Sequence, residues 1–169
     1  MKNKAGNLLS WVASSAVLIG IDQYTKALAV ARLKNQQPFV ILDGVFEFLY
    51  SENRGAAFGL MQGRQGFFFL IGIVVLAVAG YTMLRMPGWQ EKRYHWLKLC
   101  VIMITAGAVG NMIDRVSQGY VVDFLYFKLI NFPIFNVADI YVTVAAFLLV
   151  ILILVYYKEE DLERIFHRS

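Results

Sequence analysis

The chain reads as an all-α membrane protein, with four transmembrane helices and a small extracytoplasmic β-hairpin or sheet. Three observations predict this. Residues 5–21, 65–84, 99–113 and 140–157 carry no charge, and these runs approach or reach the roughly 17–25 mostly apolar residues that a span needs. Charged residues make up only 17% of the 169, with a mean hydropathy of +0.56, whereas soluble domains carry about a quarter. The pair Asp43-Gly44 separates two apolar, β-prone runs, Phe39-Val40-Ile41-Leu42 and Val45-Phe46-Glu47-Phe48-Leu49-Tyr50, which is a hairpin signal.

The spans fall at about residues 8–30, 66–85, 95–114 and 138–157. The first begins after Lys2 and Lys4, a pattern shared with secretory signal peptides. Its apolar run is longer than a signal core, and its helical pattern continues through Asp22, Gln23 and Lys26, so it reads as a retained span. The third apolar run is short. The flank 94–98 lengthens it, with Lys98 expected to snorkel outward. A further extended piece, 120–127, follows Gln118-Gly119. Its aromatics Phe124, Tyr126 and Phe127, with Phe46 and Phe48 of the hairpin, suit a small sheet at the membrane interface; the alternative is a surface hairpin without a role. Cys100, the single cysteine, lies in the third span and reads as an apolar filler. No internal repeat appears, and residues 1–169 form one expected integral-membrane domain.

Basic residues set the orientation. An even number of spans puts both termini on one side, with Lys2, Lys4, Arg85, Lys92, Arg93, Lys98, Lys158, Arg164 and Arg168. The other side holds Arg32, Lys34, Arg54, Arg64, Arg115 and Lys128. The excess predicts cytoplasmic termini, so that the 31–65 and 115–137 loops face outward. The net charge of +4 and pI near 9.2 follow from this topology, and no nucleic-acid partner is implied.

Asp123 and Asp139 flank apolar stretches, where an ionisable residue is costly and reads as functional by default. The short loop between them can fold back, so a shared site is expected. Paired carboxylates activate water without a metal or other cofactor, one ionised as base and one protonated as acid. The plain alternative is that each caps a helix end. Around them stand other polar residues. Asn111, Asp114 and Arg115 share roughly one helix face at the end of span three, either as a helix-end network or as support for the aspartates. Asp22 and Lys26 form an i, i+4 pair, read as self-neutralising and packing spans together. Asn136 lies three residues before Asp139, and Asn53 precedes Gly55-Ala56-Ala57-Phe58-Gly59. Small residues there let a backbone approach a bound extended chain, or simply form a tight turn. Gly107, Ala108 and Gly110 permit close helix contact.

With these residues the chain closely resembles the lipoprotein signal peptidases, the type II signal peptidases of bacteria. The resemblance runs nearly the whole length. It rests on Asp22-Gln23-Tyr24-Thr25-Lys26, Asn53-Arg54-Gly55-Ala56-Ala57-Phe58-Gly59, Gly107-Ala108-Val109-Gly110-Asn111-Met112-Ile113-Asp114-Arg115, Val122-Asp123-Phe124 and Phe135-Asn136-Val137-Ala138-Asp139, in that order. The resemblance implies that Asp123 and Asp139 are a catalytic dyad, with Asn53, Asn111, Arg115 and Asn136 in support; Gly55 and Asp114 join the expected site. One departure is Ile140, where the family commonly has a small hydroxyl residue. The implied activity is that of an aspartyl endopeptidase of the bacterial cytoplasmic membrane. It would cut a prolipoprotein before its diacylglyceryl-modified cysteine, near the outer leaflet and among membrane lipid.

Two other readings stand beside this one. Intramembrane carboxylates also mark small proton-coupled carriers, although these usually show repeats and broken helices near the midplane. A non-catalytic scaffold would use the polar cluster only to hold helices together. Zinc chemistry finds no support in the sequence: His95 and His167 both fall on the expected cytoplasmic side, without a His-Glu-x-x-His pattern.

Overall fold

A computed structural model of the chain describes residues 2–55 and 65–166. Of the residues singled out in the sequence, Ala56 to Gly59, Arg64, His167 and Arg168 lie outside the described residues. Helix α1 (Lys2–Leu33) leads through Asn35, at φ 60°, into strands β1 (Phe39–Leu42) and β2 (Phe46–Asn53). Helices α2 (Gln65–Arg85) and α3 (His95–Gln118) follow, then strand β3 (Val121–Phe127). Helix α4 (Val137–Ile151) ends in a π-helical turn, Leu152–Tyr156, and a short helix α5 (Glu159–Phe166) closes the chain. Four helices are long and apolar enough to cross a membrane: Lys4–Leu33, Gly66–Arg85, Lys92–Gln118 and Val137–Tyr156. With 32 residues, α1 runs about 48 Å, longer than a hydrocarbon core of about 30 Å, and exceeds the expected span at both ends.

Helix α3 is central. Half of its most apolar window is buried, against 17–22% for the other three. Its glycines make this possible. A Cβ on Gly107 would lie 2.5 Å from the Ala138 carbonyl oxygen and from Val142 Cγ2, and one on Gly110 would lie 2.5 Å from Asp22 Oδ2. Thus α4 and α1 rest directly on the α3 backbone. Gly119 ends α3 at φ 81°, with its N–H donating to the Arg115 carbonyl, a left-handed C-terminal position that glycine takes without a Cβ penalty. The helix therefore runs one turn beyond its expected end, which sets Asp114 and Arg115 inside regular backbone.

The expected hairpin forms, with Gly44 at φ 68° in its turn. The 120–127 piece joins it as β3, giving an antiparallel sheet in the order β1-β2-β3. After β3 the chain turns at Asn131 (φ 47°) and folds back, Phe135 exchanging hydrogen bonds with Leu125 at 3.0 and 2.9 Å. That return carries Asn136 alongside β3. Val122 and Phe124 pack on Ala29 of α1, with Val137 and Tyr50 around them, so the inner face of the sheet rests on the bundle.

At the end where α3 begins, a core gathers Met83, Tyr94, Leu97, Cys100, Tyr157 and Ile165. Cys100 is fully buried there. Asn7 donates to the Met86 and Pro87 carbonyls at 2.9 and 3.1 Å, fastening the start of α1 to the end of α2. Lys98 departs from the sequence reading. It does not snorkel: it is fully buried, its ammonium 4.5 Å from the Trp89 ring centroid and without a hydrogen-bond partner among the described residues. Trp89, held by Ser10 at 2.7 Å, covers the side chain that the flanking position alone would release to the interface. Helix α5 was also not anticipated; Asp161 binds Arg93 through two contacts of 2.7 and 2.5 Å.

Candidate active site

Asp123 sits on β3, opposite Ser51 of β2. Val122 and Phe124 on either side of it pack on α1, so alternation along the strand turns Asp123 to the opposite face, which is also covered there, leaving it 2% exposed. Asn53, at the end of β2, donates to its Oδ2 at 2.9 Å, and Asn136 donates to its Oδ1 at 2.6 Å. Burial, and next the charge of neighbouring Asp139, push the Asp123 carboxyl up to about 7, against the opposing pull of these two amides.

Asp139 stands in the first turn of α4. Asn136 is the N-cap: its side-chain oxygen accepts from Asp139 N–H at 3.0 Å, while Asp139 Oδ2 accepts from Asn136 N–H at 3.2 Å, a reciprocal capping box. The helix start therefore needs no hydroxyl at Ile140. The capping alternative is realised at Asp139, whereas Asp123 lies on a strand and caps nothing. Asp139 Oδ1 accepts from Asn111 Nδ2 at 2.8 Å. Asn136 thus touches both carboxyls, one through its side chain and one through its backbone.

Behind this pair lies a second polar layer. Lys26 Nζ contacts Asp22 Oδ2, Asp114 Oδ2 and Asn111 Oδ1, each at 2.9 Å. The Asp22–Lys26 pair does join spans, but it is not self-contained, since it reaches two residues of α3. Asp22 Oδ1 accepts from Ala138 N–H at 2.9 Å, and Asp114 Oδ2 accepts from Val122 N–H at 3.1 Å. These carboxylates therefore fix the backbone beside Asp139 and Asp123. Gln23 donates to Asp114, Asp22 and the Gly110 carbonyl at 2.9, 3.2 and 3.2 Å. Sequence reasoning assigned Gln23 no role; its only signal was its place next to Asp22 in the first motif.

Arg115 and Gly55 stand further out. Arg115 donates to the Asn111 and Gly55 carbonyls, both at 3.3 Å, and its guanidinium lies 4.6 Å from the Phe68 ring centroid. Gly55 N–H donates to Asn53 Oδ1 at 3.0 Å, and this contact holds the amide whose Nδ2 faces Asp123. At the rim, Glu52 takes hydrogen bonds from Lys34, Arg54 and Tyr50, and the bonds from Lys34 and Arg54 hold its carboxyl below the usual range. A cavity of about 300 Å³ opens beside the site, lined by Gly66, Phe69, Met112, Arg115 and Val116.

This is a pair of carboxyls, one buried and one half-buried, held by asparagine amides at one end of a four-span bundle. The chain is similar in sequence and fold to known proteins. Residues 14–155 match the family model for signal peptidase (SPase) II. A lipoprotein signal peptidase from Streptococcus thermophilus is 41% identical over 144 residues, covering 85% of this chain and 90% of its own. One from Caldanaerobacter subterraneus is 42% identical over 135 residues, covering 79% and 88%. Two solved structures, each described as a bacterial membrane enzyme determined by the in meso method, superpose with TM-scores of 0.75 and 0.73. They share 29% and 30% identity and cover 89% and 88% of this chain, and 92% and 94% of theirs. A match over most of the chain, in sequence and in structure, leads to one conclusion: the chain belongs to the signal peptidase II family, multi-pass membrane peptidases of lipoprotein processing.

Proposed function

We propose that this chain removes the signal peptide from prolipoproteins as an aspartyl endopeptidase, cutting before the diacylglyceryl-modified cysteine, with Asp123 and Asp139 as the reacting pair. The observation that carries this reading is the shared neighbour Asn136, 2.6 Å from Asp123 Oδ1 and 3.2 Å from Asp139 Oδ2. A buried carboxyl, Asp123, and a half-buried one, Asp139, around one residue disfavour double ionisation, so the pair retains one proton near neutral pH. One ionised aspartate takes a proton from water, the water oxygen adds to the scissile carbonyl, and the protonated partner gives its proton to the carbonyl oxygen. As the C–N bond breaks the proton transfers reverse, the amine taking the proton first removed from water. Asn53, Asn111 and Asn136 supply the donors that keep both carboxyls in place. Asp114 and Arg115 hold the backbone and the loop at Gly55 around them.

The basic-residue count places the termini in the cytoplasm and the pair toward the outer leaflet. There a lipidated cysteine embedded in the bilayer meets it from the side, with the signal helix packed along the bundle and the hairpin over the segment to be cut. The carrier reading gains nothing from the four-span fold or from the relatives.

The test is cleavage of a diacylglyceryl-modified precursor by detergent-purified protein, read by mass spectrometry. We expect a single cut before the modified cysteine, undiminished by EDTA. Loss of the cut on chelation and its return with zinc would contradict the mechanism, and a cut elsewhere would contradict the substrate.

A further inference from the structure

Lys26 lies behind the dyad rather than in it, yet its contacts bear on how the two aspartates differ. An ammonium has three N–H donors and no acceptor. All three donors are matched, by Asp22 Oδ2, Asp114 Oδ2 and Asn111 Oδ1 at 2.9 Å each, and Lys26 is only 3% exposed. This fixes which way Asn111 faces. Its oxygen receives Lys26 and also Asn136 Nδ2, the latter at 3.2 Å. A flipped amide would set its NH₂ group against both donors. In the remaining orientation Asn111 Nδ2 faces Asp139 Oδ1, at 2.8 Å, so Asn111 always presents Asp139 with an N–H, polarised by a cation on the far side of the amide.

Asp139 is favoured as an anion in two further ways. Its other oxygen accepts the Asn136 backbone N–H, and it stands in the first turn of α4, where the helix dipole favours negative charge. Asp123 has no helix end and, among the described residues, is reached by two side-chain amides. The charged groups around the pair are Asp22 and Lys26 from α1, Asp114 and Arg115 from α3, and the two aspartates themselves. Arg115 is engaged by the Asn111 and Gly55 carbonyls, whereas the hydrogen bonds of Lys26 reach the pair through the Asn111 amide, and its charge also bears on Asp123.

We infer that Lys26, acting through Asn111 as a positioning residue, assigns the two catalytic roles: it holds Asp139 as the ionised member that takes the proton from water, and leaves the shared proton on Asp123. In the first step a water O–H breaks to Asp139, the C–O bond forms, and the Asp123 proton passes to the carbonyl oxygen. In the second step the C–N bond breaks, Asp139 returns its proton to the amine nitrogen, and Asp123 recovers one from the hydrated carbonyl. Asp22 opposes Lys26, its charge offsetting part of the ammonium's.

The inference rests on the dyad reading and makes a prediction of opposite signs. With the diacylglyceryl-modified precursor, kcat is measured against pH for the purified wild type and for Lys26→Gln, Lys26→Arg and Asp22→Asn. Lys26→Gln should move the acidic limb of the profile up by about one pH unit and lower kcat at pH 6 about tenfold, with KM changed less than about threefold. Asp22→Asn should move the same limb down, and Lys26→Arg should restore it to within about half a unit. Limbs that stay in place, or that move the same way in Lys26→Gln and Asp22→Asn, would overturn the inference. If Lys26→Gln does not fold, the downward shift in Asp22→Asn and the restored limb in Lys26→Arg decide the matter alone. The dyad reading fails separately, through residual turnover of Asp123→Asn or Asp139→Asn.

Discussion

Asn136 is bonded to both carboxyls and to Asn111, so its replacement bears on cap and site together. Asn136→Ala removes an N-cap, a loss of about 1 kcal/mol, and also removes the one residue among those described that is hydrogen-bonded to both aspartates. We expect a modest fall in Tm together with at least a tenfold loss of turnover; a variant with the lower Tm and full turnover would show that the cap is its whole contribution. Asp123 carries the pH dependence. Its carboxyl is raised from 3.8 to about 7 by burial and by Asp139. Between those values the unfolded chain releases this proton and the folded chain keeps it, so stability from this group is full below 3.8 and falls as pH rises toward 7. In the proposed mechanism turnover needs the proton as well. The alkaline limb of kcat should therefore lie near pH 7, and a profile flat through pH 9 would contradict a protonated Asp123. These two aspartates and the asparagines around them were visible in the sequence as polar residues in apolar surroundings. Their partners were less so: Lys26 reads as a local pair with Asp22 until the fold places Asp114 and Asn111 against it.

Elements meet here through backbone rather than through large side chains. The contact of α3 with α4 depends on Gly107, where a Cβ would lie 2.5 Å from a carbonyl oxygen of α4. Gly107→Ala must push α4 away, a cost of about 1–3 kcal/mol, and it would displace Ala138, the neighbour of Asp139. We expect a lower Tm and a loss of turnover larger than the folding loss explains, measured by thermal unfolding and cleavage on the same preparation. The element boundaries show what a sequence can carry. Charge-free runs placed the four spans within a few residues, and Asp43-Gly44 placed the hairpin. The β2–β3 pairing and the return at Phe135 depend on contacts distant in sequence, so only the extended character of 120–127 was legible. Helix α5 has no long apolar run, and the two contacts of Asp161 with Arg93 come from across the bundle. Lys98 was misread for a similar reason, since its cover, Trp89, is placed by Ser10 of α1.

At the scale of the molecule, the bundle separates two ends. Along α3, His95 at its start lies about 24 Å from Asn111, the residue that touches Asp139. The orientation proposed from the basic residues is open to labelling. Cysteines at Asp43, in the hairpin turn, and at Gln90, in the connector before α3, occupy exposed positions at opposite ends, and the native Cys100 is buried and should stay silent. In intact cells a membrane-impermeant reagent should label Asp43→Cys and spare Gln90→Cys. Labelling of position 90 alone would invert the topology. The relation to the signal peptidase II family was legible in the sequence because its motifs sit at element ends, where few residues set the geometry. The long-range hydrogen bonds that join those motifs required the fold.

Cleavage by dyad variants tests the central claim most directly. Asp123→Asn and Asp139→Asn each keep size and hydrogen-bonding capacity but lose the ionisable proton. Turnover of a diacylglyceryl-modified precursor by each purified variant, with thermal unfolding as the control, should be abolished in both singles. The double variant should be scarcely worse, because residues that act as a unit are not additive. Near-normal turnover by a folded Asp123→Asn or Asp139→Asn protein would contradict the account.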